Sequence, residues 1–156
     1  MRIHVLAVGT RMPAWVTEGV DTYLRRLPRH IACEFREIPA AQRSSGSTPD
    51  TIKSKEADAL LKAARTADYT VALDERGSSC TSTQLAGHLQ NWLDNYSQVA
   101  LLVGGADGLD ERCRQAADQV LSLSALTLPH PLVRVILAEQ IYRAWTLLQG
   151  HPYHRD

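Results

Sequence analysis

The sequence predicts an α/β protein built on a mostly parallel sheet with helices on both faces. Three observations predict it. Short β-rich apolar runs recur along the chain, stretches of helical period lie between them, and most runs stop at glycine, proline or a turn. Strands that alternate with helices pair in parallel, because each crossover carries the chain back to the start of the next strand. With 156 residues, the chain suits one compact domain, residues 1–156.

The elements follow in order. Residues 3–8 form a buried strand closed by Gly9, which reads as structure and not as a signal peptide. From 13 to 27, Trp15, Val16, Val20, Tyr23, Leu24 and Leu27 recur at helical spacing, with Pro13 in the first turn and Pro28 at the end. Residues 32–38 are a second strand. AQRSSGSTPD is loop-like, either a mobile segment near a site or a plain surface connection. A helix over 51–64 shows Ile52, Ala59, Leu60 and Ala63 on its apolar side. A third strand spans 69–73 and DERGSSC is a turn. Thr81 and Gln84 have capping-box spacing, opening a helix through Leu85, Leu89, Trp92 and Leu93. An apolar strand at 99–103 precedes GGADGL, a helix over 110–117, a strand ending near Leu123, and a final helix over 132–149.

Composition excludes several classes. No region is apolar for long enough to cross a bilayer. Cys33, Cys80 and Cys113 are widely spaced, with no CxxC pair and no zinc-like cluster, so no metal is expected. Unpaired cysteines and the absence of a secretion signal point to the cytoplasm. Seventeen basic and seventeen acidic residues cancel, so any nucleic-acid contact must come from local clusters. The candidates are Arg25, Arg26, Arg29 and His30, and towards the other end His130, Arg134, Arg143, His151, His154 and Arg155. Such groups serve equally to solvate a surface.

Two segments point to a ligand. In VALLVGGADGLDERC an apolar strand ends in Gly104 and Gly105, where ligands of parallel sheets sit and where glycine lets main chain approach closely. It is not a dinucleotide fingerprint, and a Gly-Gly turn also serves merely as a turn. In LSLSALTLPHPLVRVILAEQIYRAW, a strand joins the last helix through an uncharged run. A connection so apolar is expected to be buried, and its amides and carbonyls need partners. Either a heterocycle such as adenine supplies them, or the run is a strand with every partner internal. Pro129 and Pro131 stiffen the entry to the helix and place His130 near an N-terminus, where an anion is favoured. The helix itself is apolar nearly all round, which implies a second partner surface and most simply a two-fold dimer.

VGGADGL, LSLSALTLPHPLVRVILAEQIYRAW and HPYHRD, together with VLAVGT, MPAWV and YLRRLP, resemble the ribosomal RNA large subunit methyltransferase H family. These are minimal members of the SPOUT superfamily of knotted methyltransferases, and the resemblance covers nearly the whole chain. It implies a C-terminal trefoil knot, against the usual rule, an obligate homodimer, and S-adenosyl-L-methionine as cofactor. The cofactor-holding positions it implies are Leu73, Gly104, Leu123, Ser124, Ala125, Leu126, Thr127 and Leu128. The implied reaction is methylation at N3 of a pseudouridine in 23S rRNA. Ala106 and Asp107 depart from the Pro-Glu that relatives commonly carry.

Attack by N3 of a uracil-type ring requires that a weakly acidic proton be removed or the resulting anion be stabilised. HPYHRD offers groups for both: His154 for deprotonation, Arg155 for an oxyanion or phosphate, and Tyr153 to stack on the base. His130, Arg134 and Arg143 are candidate RNA contacts, although Arg143 also has Glu139 four residues earlier as an ion-pair partner. The competing readings are a frayed terminus, a non-catalytic ribosome-docking module that merely keeps a nucleotide pocket, and a knotted methyltransferase acting on tRNA.

Overall fold

The computed structural model describes residues 1–154. Strands and helices alternate as β1 (Arg2–Val8), α1 (Ala14–Leu24), β2 (Ala32–Ile38), α2 (Pro49–Ala64) and β3 (Tyr69–Ser79). There follow α3 (Ser82–Asn95), β4 (Gln98–Val103), α4 (Glu111–Ala116), β5 (Gln119–Ser122), α5 (His130–Leu148) and a 3-10 turn, Pro152–His154. The five strands form one sheet in the order β2-β1-β4-β3-β5, and every pairing is parallel. The helices cover both faces, as expected.

Alternation along each strand builds two cores. Ile3, Val5 and Ala7 of β1, with Val99, Leu101 and Val103 of β4, pack beneath α3 and α5. Leu6, Val8, Ala100 and Leu102 face the other way, against Ala57, Leu60 and Ala64 of α2 and Cys113 of α4. Full burial of a side chain such as Leu102 contributes roughly 1.5–3 kcal/mol, so a strand buried on both faces must read as a continuous apolar run.

Local chemistry sets the helix ends. Thr81 and Gln84 exchange hydrogen bonds at 2.9 and 3.1 Å, so the predicted capping box is real. Helix α2 starts at Pro49, earlier than its apolar period suggests, because Thr48 caps it and Pro49 needs no amide partner. Helix α1 is shorter than its period. Pro13 is its cap, and after Leu24 the chain tightens into three-residue turns, with Arg26 N and Leu27 N donating to Tyr23 O and Leu24 O at 3.1 Å. Trp15, expected on the apolar side, is 52% exposed.

DERGSSC is not a simple turn. β3 pairs with β5 through Leu73, leaves the register, and resumes with Ser78 opposite the same residue, Leu121. The excursion returns at Gly77, where a Cβ would lie 2.6 Å from the carbonyl carbon of Leu121. Main chain crosses main chain there, and only glycine leaves room.

Helix α5 lies over the sheet with α1 on one flank and α3 on the other. Gly19 permits the α1 contact, since a Cβ there would sit 3.0 Å from Val135 Cγ1. Three neighbours within one protomer thus account for much of the apolar surface that the sequence assigned to a second partner.

Gly77→Ala is expected to lower stability by roughly 1–3 kcal/mol through overpacking against main chain that cannot yield. Urea denaturation followed by circular dichroism measures it, and a midpoint equal to the parent's would refute the packing argument.

Candidate active site

β4, β3 and β5 are neighbours in the sheet, so their carboxyl ends open on one edge. A cleft of about 720 Å³ lies beyond them, within the size range of small-molecule and cofactor sites. Its walls are the part of β3 from Leu73 to Arg76, where the strand leaves its register, the turn after β4 from Val103 to Leu109, and the crossover from β5 into α5. Lys53 of α2 and Arg114 of α4 complete it.

The turn after β4 is main chain packed on main chain. A Cβ on Gly104 would come within 2.5 Å of the Gly108 carbonyl carbon. Gly108 N donates to Gly105 O at 3.0 Å, and Gly108 takes φ +82°. Arg114 braces the wall: its Nη1 donates to Asp74 at 3.1 Å and to Leu109 O at 3.0 Å, which ties the end of β3 to the turn after β4. Asp107 pairs with Arg43 of the serine-rich segment, so that segment borders the site.

Beneath the turn lies Glu56, 5% exposed. One carboxyl oxygen accepts from Ala41 N at 3.2 Å. The other has no hydrogen-bond partner among the described residues and sits 3.3 Å from the Cβ position of Gly105. Burial is the main cause that pushes this carboxyl above the usual carboxylate range; Asp107 adds to it, and Ala41 N and Arg43 oppose it.

The crossover behaves differently from expectation. It is not buried: Ala125, Leu126 and Thr127 are exposed, Leu126 to 74%. Serine side chains do part of the pairing, with Ser122 Oγ donating to Ser124 O at 3.0 Å and Leu126 N donating to Ser124 Oγ at 2.9 Å. Among the described residues, the main-chain groups of Ala125, Thr127 and Leu128 pair with no other main chain. A connection without charge is therefore compatible with exposure here, because the open main chain faces a cleft.

Of the positions expected to hold a cofactor, Leu73, Gly104, Leu123, Ser124, Leu126, Thr127 and Leu128 line the cleft, and Ala125 does not. His130, expected to meet RNA, also lines it. It is the first residue of α5, its Nδ1 has no partner among the described residues, and burial followed by the nearby Arg134 lowers its pKa, which favours the neutral ring. Asp107, which the sequence marks as a departure from its relatives, lines the cleft, whereas Asp74 and Arg114 escaped the sequence reading. For Asp74 a signal existed, a charged residue directly after an apolar parallel strand; for Arg114 there was none.

Arg134 corrects its expectation. It is 3% exposed, and Nη2 donates to Gly9 O at 2.7 Å and Val8 O at 3.2 Å while Nη1 pairs with Glu37 at 3.3 Å. The guanidinium holds the end of β1 against α5 and presents no surface to RNA.

The tail residues gather elsewhere. Tyr153 donates its hydroxyl to Glu139 Oε1 at 3.0 Å, and Arg143 Nε donates to the same oxygen at 2.9 Å. The Arg143 guanidinium lies 5.1 Å over the Tyr153 ring, which packs edge-on against Tyr142. Burial first, then Glu139, pushes the Tyr153 phenol up to about 12. His154 is half-buried with Nδ1 unpartnered among the described residues. Arg155 lies outside the described residues. Glu139 is nine residues beyond His130, about 13 Å along the helix at 1.5 Å per residue, and none of the described tail residues lines the cleft.

The family model described as a predicted SPOUT methyltransferase matches residues 1–154. The chain belongs to the SPOUT methyltransferase family. Similar relatives include ribosomal RNA large subunit methyltransferase H of Hahella chejuensis (strain KCTC 2396), 49% identical over 156 residues and covering 100% of both chains. That of Marinomonas sp. (strain MWYL1) is 52% identical over 156 residues, covering 99% of this chain and 100% of the relative. Among solved structures, a probable methyltransferase from Bordetella pertussis Tohama I shares the fold, with TM-score 0.58 at 16% identity over 92% of this chain and 94% of that one. Against this SPOUT background the described residues hold no cluster of metal-ligating side chains and no helix long and apolar enough to cross a membrane.

A raised carboxyl means that folding favours the protonated form of Glu56. Its contribution is therefore present below the ordinary carboxylate range and lost as pH rises through the folded value. Glu56→Gln is expected to stabilise the protein at pH 8 relative to the parent, with the gain shrinking towards pH 4. Urea midpoints across that range decide it, and a gain independent of pH would sink the assignment.

Proposed function

We propose that this SPOUT-family methyltransferase uses S-adenosyl-L-methionine to methylate N3 of a pseudouridine in 23S rRNA of the large ribosomal subunit. It works in the cytoplasm as a homodimer of single knotted domains. The carrying observation is a cleft lined by segments from three neighbouring parallel strands, in a chain whose full-length relatives bear the name ribosomal RNA large subunit methyltransferase H.

The residues fit the cofactor. Gly104 keeps side chains out of the way, and the open main chain of Thr127 and Leu128 suits the edge of an adenine. Leu73, Leu123 and Leu128 offer apolar walls for its faces. Acidic Asp74, Glu75 and Asp107 share the cleft with basic Lys53, Arg76 and Arg114, a balance suited to a zwitterionic amino-acid end. When bound, S-adenosylmethionine supplies a methyl group already activated on a sulfonium.

The remaining work belongs to the protein: removing the N3 proton and holding the base. Tyr153 stays protonated at neutral pH, so it stacks and donates and is no base. His154 is assigned as the proton acceptor; its Nδ1 is buried within the protomer and unpartnered among the described residues. Arg155 is assigned to the developing oxyanion or a phosphate. Glu139 and Arg143 orient the tail through Tyr153, and Arg143 and His130 are the proposed RNA contacts, joined by the exposed Arg25, Arg26, Arg29 and His30. Arg134 is left out for the burial described above. The separation of tail from cleft supports the homodimer, in which one protomer's tail reaches the other's cleft. The exposed Trp15 and the half-exposed outer face of α5 offer surface for that contact.

Purified protein with labelled S-adenosylmethionine is expected to methylate large subunits or ribosomes, and mass spectrometry of rRNA from cells lacking it to show one N3-methyl group missing. Cofactor binding without transfer to ribosomes would instead indicate a docking module. His154→Ala is expected to lower kcat by roughly 10²–10⁴-fold, the usual yield of general-base catalysis, with cofactor affinity nearly unchanged. Gly104→Ala should do the opposite and abolish cofactor binding by calorimetry. Unchanged turnover after removal of residues 151–156 would reject the role given to the tail.

A further inference from the structure

A second space lies behind the cleft, between the sheet and helices α3 and α5. It measures about 190 Å³ and is walled mainly by Val71, Leu85, Leu101, Leu121, Leu137 and Ile141. One end is polar, where Ser82 Oγ donates to Gln140 Oε1 at 2.6 Å. Trp92 also borders it. That indole is 2% exposed, and its Nε1 has no hydrogen-bond partner among the described residues.

These features define an occupant. A cavity of roughly 150 Å³ lined by aliphatic and aromatic side chains stays dry and takes up benzene, so this one accepts a ring of that size with a small substituent. No Asp, Glu, Lys, Arg or His lines it, and a charged ligand would lose its hydration with nothing in return. The orphaned indole N–H, an unmet donor in a buried wall, calls for an acceptor on the ligand. Leu73 and Leu123 belong to the walls of both this cavity and the cofactor cleft.

We propose that this cavity is a second binding site, for a small neutral aromatic molecule bearing one hydrogen-bond acceptor, coupled to the cleft through Leu73 and Leu123. Only the coupling rests on the proposed reading of the cleft as a cofactor site. Filling the cavity holds those two leucines in one packing arrangement, and the cofactor then meets a wall already set. By linkage, the cofactor changes affinity for the aromatic by the same factor.

Phenol is the probe and benzene the control without an acceptor, titrated by NMR into full-length, cofactor-free protein. Phenol is expected to bind saturably with one-to-one stoichiometry, and benzene roughly five- to tenfold more weakly, the worth of about one net hydrogen bond. Trp92→Phe should bring phenol down to benzene's affinity. Leu85→Phe, which fills the space, should abolish both, with Val71→Leu serving if that variant does not fold. No saturable binding, or binding that survives filling, overturns the site, and equal affinities for phenol and benzene overturn the ligand class. Saturating phenol should shift the dissociation constant of S-adenosylmethionine by about twofold or more, and an unchanged constant overturns the coupling. If S-adenosylmethionine binds under no condition, the reading of the cleft fails and the coupling with it, while the cofactor-free titration still decides the cavity.

Discussion

Parallel pairing of β4, β3 and β5 as neighbours is the constraint on which the site depends. Parallel strands end on a common edge, so three connecting segments converge there without any one of them having to be long. Close backbone packing shapes these segments. The Gly104–Gly108 turn folds onto itself, Gly77 lets β3 return against β5, and the crossover offers main-chain groups that no other main chain among the described residues takes up. Side chains around the cleft act in part as struts. Arg114 is such a strut, joining Asp74 to Leu109 O, and Arg134 is another, joining the end of β1 to α5.

Helix α5 carries the candidate groups along its length. Its first residue, His130, stands in the cleft, its middle is clasped by α1 and α3, and Glu139 and Arg143 receive the tail. The Glu139 carboxylate accepts from Tyr153, Arg143 and Gln140, so one half-buried anion fixes the register of the 3-10 turn on the helix. Charge-assisted bonds of this kind are stronger than neutral ones, and their geometry holds an aromatic ring in a defined place. The cleft and the described tail groups thus occupy different parts of a protomer.

Overall neutrality bears on the same point. With equal numbers of acidic and basic residues, long-range attraction to RNA is weak, and recognition falls to local groups. Several cations are committed internally: Arg134 to the end of β1, Arg114 to the cleft wall, Arg112 to Asp58 and Ser54. The cluster of Arg25, Arg26, Arg29 and His30 stays at the surface, so a count of basic residues overstates what is available to a nucleic acid and burial decides which remain.

The sequence by itself determined the alternation of strands and helices, the parallel sheet, the capping box at Thr81 and the glycine turn beyond β4. Each is a property of neighbours along the chain, where period, cap and turn chemistry act over a few residues. It also marked most of the cleft's lining, because strand ends in a parallel sheet share an edge. Tertiary structure alone decided the rest: Arg134 turned inward, Trp15 outward, the uncharged crossover exposed at a cleft, β3 prolonged past an excursion, and Glu56 shut beneath Gly105. Those outcomes depend on which groups meet through space across distant parts of the chain, and a side chain's partner there is set by packing that no local pattern encodes.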